Sequence, residues 1–87
     1  MVVYLALEPE AAREAIQLAR QTGCSVWVGS DALTTEEYRA LAAENINVTR
    51  FNYTLSNATP AVIEDALSTV REHHPHAIIW VQSLVHT

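Results

Sequence analysis

Ala77-Ile78-Ile79-Trp80-Val81 is a run of five apolar residues between the Pro75-His76 break and the polar pair Gln82-Ser83. In an extended strand the side chains alternate, so Ile78 and Trp80 project to one face while Ile79 and Val81 project to the other. A strand apolar on both faces belongs in a parallel sheet with helices on each side. Both faces of this strand are therefore expected to be covered, and the cover must come from elements earlier in the chain.

Those elements can be read in order. Met1 to Leu7 is a continuous apolar run and reads as a buried first strand. Glu8-Pro9-Glu10 opens a helix, because proline suits the first helical position and acids oppose the positive end of the dipole. Ala12, Ala15, Ile16 and Ala19 form its narrow core stripe, and Gly23 closes it as a left-handed cap. Ser25 to Gly29, with Val26-Trp27-Val28, reads as the second strand. Thr34 with Glu37 three residues on is a capping box, and Leu33 and Tyr38 are placed for a hydrophobic staple. In that second helix Tyr38, Leu41 and Ala42 are expected to face inward, with Asn45 at its end.

Ile46 to Tyr53 reads as a third strand, with Asn47 and Thr49 alternating with Ile46 and Val48. A half-polar face marks an edge strand. Thr54 to Ala58 reads as a polar loop. Thr59-Pro60 starts a third helix whose stripe is Ile63, Ala66, Leu67 and Val70, and Pro75 stops it. The order strand-helix-strand-helix-strand-helix-strand implies an α/β fold: a four-stranded, mostly parallel sheet joined by right-handed crossovers. The polar third strand favours order 3-2-1-4, and 2-1-3-4 is the alternative. Either order puts two helices on one face and one on the other.

Four strands about 4.8 Å apart make a sheet nearly ~20 Å wide, and a helix covers about 10 Å of it. Three helices cannot cover two such faces. A second copy in a twofold dimer is the expected cover for the remainder, with Trp27, Trp80, Leu84 and Val85 as interface candidates. The alternative is that Leu84 and Val85 fold back as a lid.

Composition narrows the class of function. The 87 residues are 49% hydrophobic and 17% charged, which suits one small globular α/β domain over residues 1–87. The net charge of −5 comes with five scattered arginines and no lysine, so neither nucleic acid nor an anionic membrane is an expected partner. No apolar run approaches the ~20 residues that cross a bilayer. The start lacks the basic segment of a secretory signal, and Cys24 is alone, so a reducing, cytoplasmic setting is expected.

In open parallel sheets ligands bind beyond the carboxyl ends of the strands. The residues there are Glu8, Ser30, Asp31, Asn52, Thr54, Gln82 and Ser83, with Arg50 nearby. They contain no nucleophile–base pair, so no catalytic residue is assigned and the set serves capping and solvation before ligand binding. A glycine-rich phosphate loop is absent: the first turn is Leu7-Glu8-Pro9-Glu10, whose acids and proline repel phosphate and remove a donor. His73, His74 and His76 cluster around Pro75, but adjacent helical residues point about 100° apart. No metal and no cofactor is expected. Cys24, with no neighbouring base, reads as a small buried residue.

A strand ending at Glu8, a helix, and Gly29-Ser30-Asp31-Ala32-Leu33-Thr34 before a second helix resemble the Toprim domain of primases and topoisomerases over about the first 54 residues. The resemblance implies a magnesium site made by the first acid and a later pair of aspartates one residue apart. Here the later triplet is Asn52-Tyr53-Thr54, and Pro9 stands where the family has glycine. Glu8 alone gives a hard cation too few oxygens, so the resemblance implies architecture without the activity. The functional expectation is a small protein-interaction module acting through homo-oligomerisation. The alternative is a ligand-binding or enzymatic domain using the carboxyl edge.

Overall fold

The computed structural model describes residues 1–82. Seven elements alternate along it: β1 (Val2–Ala6), α1 (Pro9–Thr22), β2 (Ser25–Val28), α2 (Thr35–Ala43), β3 (Val48–Arg50), α3 (Pro60–His73) and β4 (Ile78–Gln82). All strand pairs are parallel, and the sheet runs β3-β2-β1-β4. This is the expected α/β fold in its favoured order. Ser83, Leu84 and Val85 lie outside the described residues.

The helix boundaries follow from local chemistry. Glu8 is the extended cap residue before Pro9, and Gly23 takes φ 76° and returns its N–H to the Ala19 carbonyl. Ala11, Ala12, Ala15, Ile16 and Ala19 are buried, and these small side chains let α1 lie close to the sheet. The Thr34 hydroxyl accepts from Glu37 N–H at 3.1 Å, and the Glu37 carboxylate accepts from Thr34 N–H at 3.0 Å. The capping box is thus complete. The Thr59 hydroxyl accepts from Val62 N–H at 3.4 Å, with Pro60 following it as the first helical residue. In α2 only Leu41 is buried and Tyr38 is half-buried, while Ala42 is exposed. The short helix turns a narrower face inward than its sequence pattern implies.

Two cores flank the sheet. One joins α1 and α2 to Ala6, Val26, Val28, Leu33 and Leu41. The other joins α3 to Val3, Leu5, Trp27, Phe51 and Leu55. The register makes rows across the sheet: Val48, Val26, Tyr4 and Trp80 on the two-helix face, then Thr49, Trp27, Leu5 and Val81 on the α3 face.

The third strand is shorter than its sequence suggests, three residues instead of the span 46–53. Asn45, at φ 62°, turns the chain before it. After Arg50 the backbone leaves the strand but stays bonded to β2: Phe51 N–H donates to Val28 at 2.8 Å, and Ser30 N–H donates to Tyr53 at 2.9 Å. The following loop is no solvated connector, because Leu55 is 1% exposed and Phe51 is buried. A Cβ built on Gly29 would stand 2.7 Å from the Leu55 backbone nitrogen. Glycine at that position is what allows the loop to close over the end of β2.

Candidate association edge

The distribution of exposure corrects the first expectation about β4. Its two faces are not both covered: Ile78 is 63% exposed, Trp80 58% and Val81 44%. The uncovered area also falls elsewhere than helix counting suggests. On the single-helix face, α3 is supplemented by Phe51, Tyr53 and Leu55, so Trp27 is 6% exposed in the middle of that face. On the two-helix face, α1 and α2 cover β1, β2 and β3 and leave Ile78 and Trp80 bare.

The two tryptophans therefore separate. Trp27 is a core residue, with the rings of Phe51 at 5.3 Å, His73 at 5.2 Å and His74 at 6.1 Å. Its indole N–H is buried without a hydrogen-bond partner among the described residues. Trp27 is 6% exposed, whereas Trp80 is 58% exposed at the edge of the sheet. Of the two tryptophans, Trp80 is the one open to solvent, and Ile78 stands exposed on the same face. Order 3-2-1-4 puts the apolar run of β4, Ile78 to Val81, at an edge just as it does the half-polar β3.

The backbone of β4 has one partner among the described strands. Ile78 N–H donates to the Met1 carbonyl at 3.0 Å, so by the alternation of a parallel ladder Ile78 and Trp80 turn their polar groups toward β1. Ile79 and Val81 turn theirs outward. No residue from Ala77 to Gln82 carries charge, and the strand has none of the charges, prolines or bulges that blunt free edges.

The carboxyl edge is a different kind of surface. Glu8 is half-buried at the start of α1, Ser30 is half-buried, and Asp31, Asn52 and Thr54 are exposed. Gln82 ends the ladder opposite Ala6, and Ser83 lies outside the described residues. The loop carrying Tyr53 and Leu55 occupies the middle of this edge. Burial, then the charge of Asp65, pushes the Tyr53 phenol up. Arg50 is engaged elsewhere, donating to the Leu33 carbonyl at 3.3 Å with its guanidinium carbon 4.9 Å from the centre of the Tyr38 ring. A groove of about 400 Å³ lies instead between α1 and α2, lined by Ile16, Leu33 and Leu41 with Arg13 and Glu37 among its rim residues. The ion pair Arg20–Glu44, 3.3 Å apart and open to solvent, lies within it.

Neither histidines nor cysteine assemble a reactive set. The His73 Nδ1 lies 2.9 Å from the Thr69 carbonyl. Cys24 is half-buried, and its sulfur accepts from the Thr22 hydroxyl at 3.0 Å. Among the described residues no three His, Cys, Asp or Glu side chains stand together as metal ligands would, and no helix is long and apolar enough to cross a membrane. Comparison with models of protein families, with curated proteins and with solved structures finds no match. The likeness to Toprim domains rests on element order alone, and Asn52 and Thr54 stay where that family has aspartates.

Proposed function

We propose that the protein is a small association module that works by offering the β4 edge to a second protein chain, in the first instance another copy of itself. The observation that carries this reading is the exposure of Ile78 and Trp80 on one face and Val81 on the other of an uncharged edge strand, each more than two-fifths exposed. Fully burying an aliphatic side chain is worth about 1.5–3 kcal/mol, so this strip is a standing drive toward a partner. A cytoplasmic setting belongs to the same reading, supported by the single thiol of Cys24.

The measurement is sedimentation velocity over a wide concentration range. The wild-type chain should shift from monomer to dimer, and Trp80→Lys should remain monomeric with an unchanged far-UV spectrum. Wild-type protein that stays monomeric throughout would remove the reading. A thermal-shift screen against nucleotides, metals and metabolites addresses the carboxyl edge in parallel. A ligand shift abolished by Glu8→Ala or Asp31→Ala would move the function to that edge.

A further inference from the structure

We infer that the occupant of the β4 edge is the same strand of a second copy, paired antiparallel about a twofold axis through Ile79, so that two four-stranded sheets become one of eight strands. This rests on the association reading above and gives it a geometry.

The register follows from what the strand exposes. Ile79 and Val81 have outward-facing backbone groups, while the N–H of Ala77 is already donated to His74 at 3.2 Å. An axis through Ile79 makes it its own partner, with two mutual bonds across the axis. The same axis sets Val81 opposite Ala77, whose carbonyl accepts from the Val81 N–H on each side. Every outward N–H of Ile79 and Val81 is thereby satisfied, and none is required from Ala77.

The side chains agree with that choice. Side chains of directly opposed residues on one face are in contact. With the axis at Ile79, the exposed Ile78 of one copy meets the exposed Trp80 of the other, twice. The competing axis, through Trp80, sets Ile78 against position 82, a glutamine, and leaves the strip's most exposed strand residue beside a polar one. Reversing the stretch 77–81 keeps Ile79 at the centre, sets the large Ile78 and Trp80 against each other and the smaller Ala77 and Val81 against each other. The stretch carries no charge although the chain carries −5, so two identical strands can meet along it without local charge repulsion.

Paired cysteines test the register. In a Cys24→Ser background, Ile78→Cys and Trp80→Cys are made separately, then mixed with oxidised glutathione, which takes the thiol electrons and is itself reduced as the disulfide forms. Opposed residues without mutual hydrogen bonds lie about 4.5 Å apart at Cα, inside the roughly 4.4–6.8 Å that a disulfide spans. The diagonal neighbours are about 7–8 Å apart. The mixture should therefore form covalent dimer while either variant alone stays largely free. Self-coupling of Trp80→Cys alone would overturn this register and leave association intact. Dimers by sedimentation with no coupling in any combination would overturn the β4–β4 pairing itself. A wild-type chain that is monomeric throughout would remove both this inference and the association reading.

Discussion

The two edges of the sheet are built from opposite materials. β3 is three residues long, and its side chains are half-buried. Arg50 folds back over Tyr38, and the chain beyond it closes across the end of β2 with Leu55 as a plug. β4 is five residues long, apolar from Ile78 to Val81 and uncharged, and Ile78 and Trp80 stand in solvent. At one edge the strand is short and half-buried. The other is left as a template, since free edge strands pair readily unless charge, proline or a bulge prevents it. A twofold pairing of β4 with itself uses that edge on both copies and so closes as a pair.

Substitutions at the two edges should separate assembly from folding. The largest effect belongs to Trp80→Lys, which sets an ammonium group in the strip and acts twice in a symmetric pair. A loss of roughly 3 kcal/mol corresponds to about a hundredfold weaker association, while the denaturation midpoint measured at high dilution stays put. Thr49→Lys on β3 serves as the counterpart and should leave the association constant where it was. Where the loop closes over the end of β2 the order inverts. Leu55→Ala removes a side chain that is 1% exposed and should lower unfolding free energy by about 2–5 kcal/mol in urea titrations, without weakening the pairing of folded chains.

Smaller effects sharpen the account of that closure. Gly29→Ala forces a Cβ to within 2.7 Å of the Leu55 backbone and should destabilise by about 1–3 kcal/mol through displacement of the loop. Thr34→Ala takes the cap from α2 and should cost about 1 kcal/mol. The Glu37 carboxyl is held below its ordinary value by the Thr34 backbone N–H and then the Thr34 hydroxyl. Its depressed pKa makes the contribution present above the unfolded value of 4.5 and lost as pH falls through the folded one. Glu37→Gln should therefore differ from wild type at neutral pH and converge with it in acid.

Much of this fold was legible because its signals are local. Pro9, Gly23, the Thr34–Glu37 box and Thr59-Pro60 each act within a few residues, and the structure has the corresponding boundaries where those residues stand. The polar alternation of β3 gave the strand order. What the sequence concealed depends on distant partners. Leu55 is a lone apolar residue among Thr54, Ser56 and Asn57, with no periodicity to mark it as core. Trp27 and Trp80 sit in equally apolar strands, yet one is enclosed by Phe51 and the residues of α3 while the other meets solvent. An apolar residue looks the same whether its cover comes from its own chain or from another. The candidate site was visible in part, through Trp80, and Ile78 became part of it only when β4 was found at the open edge.

Amide hydrogen exchange at β4 bears most directly on the claim that this edge is completed by a second chain. The N–H groups of Ile78 and Trp80, turned toward β1, supply the internal reference. The account predicts that Ile79 and Val81 are as protected as these two at high protein concentration and lose that protection on dilution. Fast exchange of Ile79 and Val81 at every concentration, or protection indifferent to dilution, would contradict it.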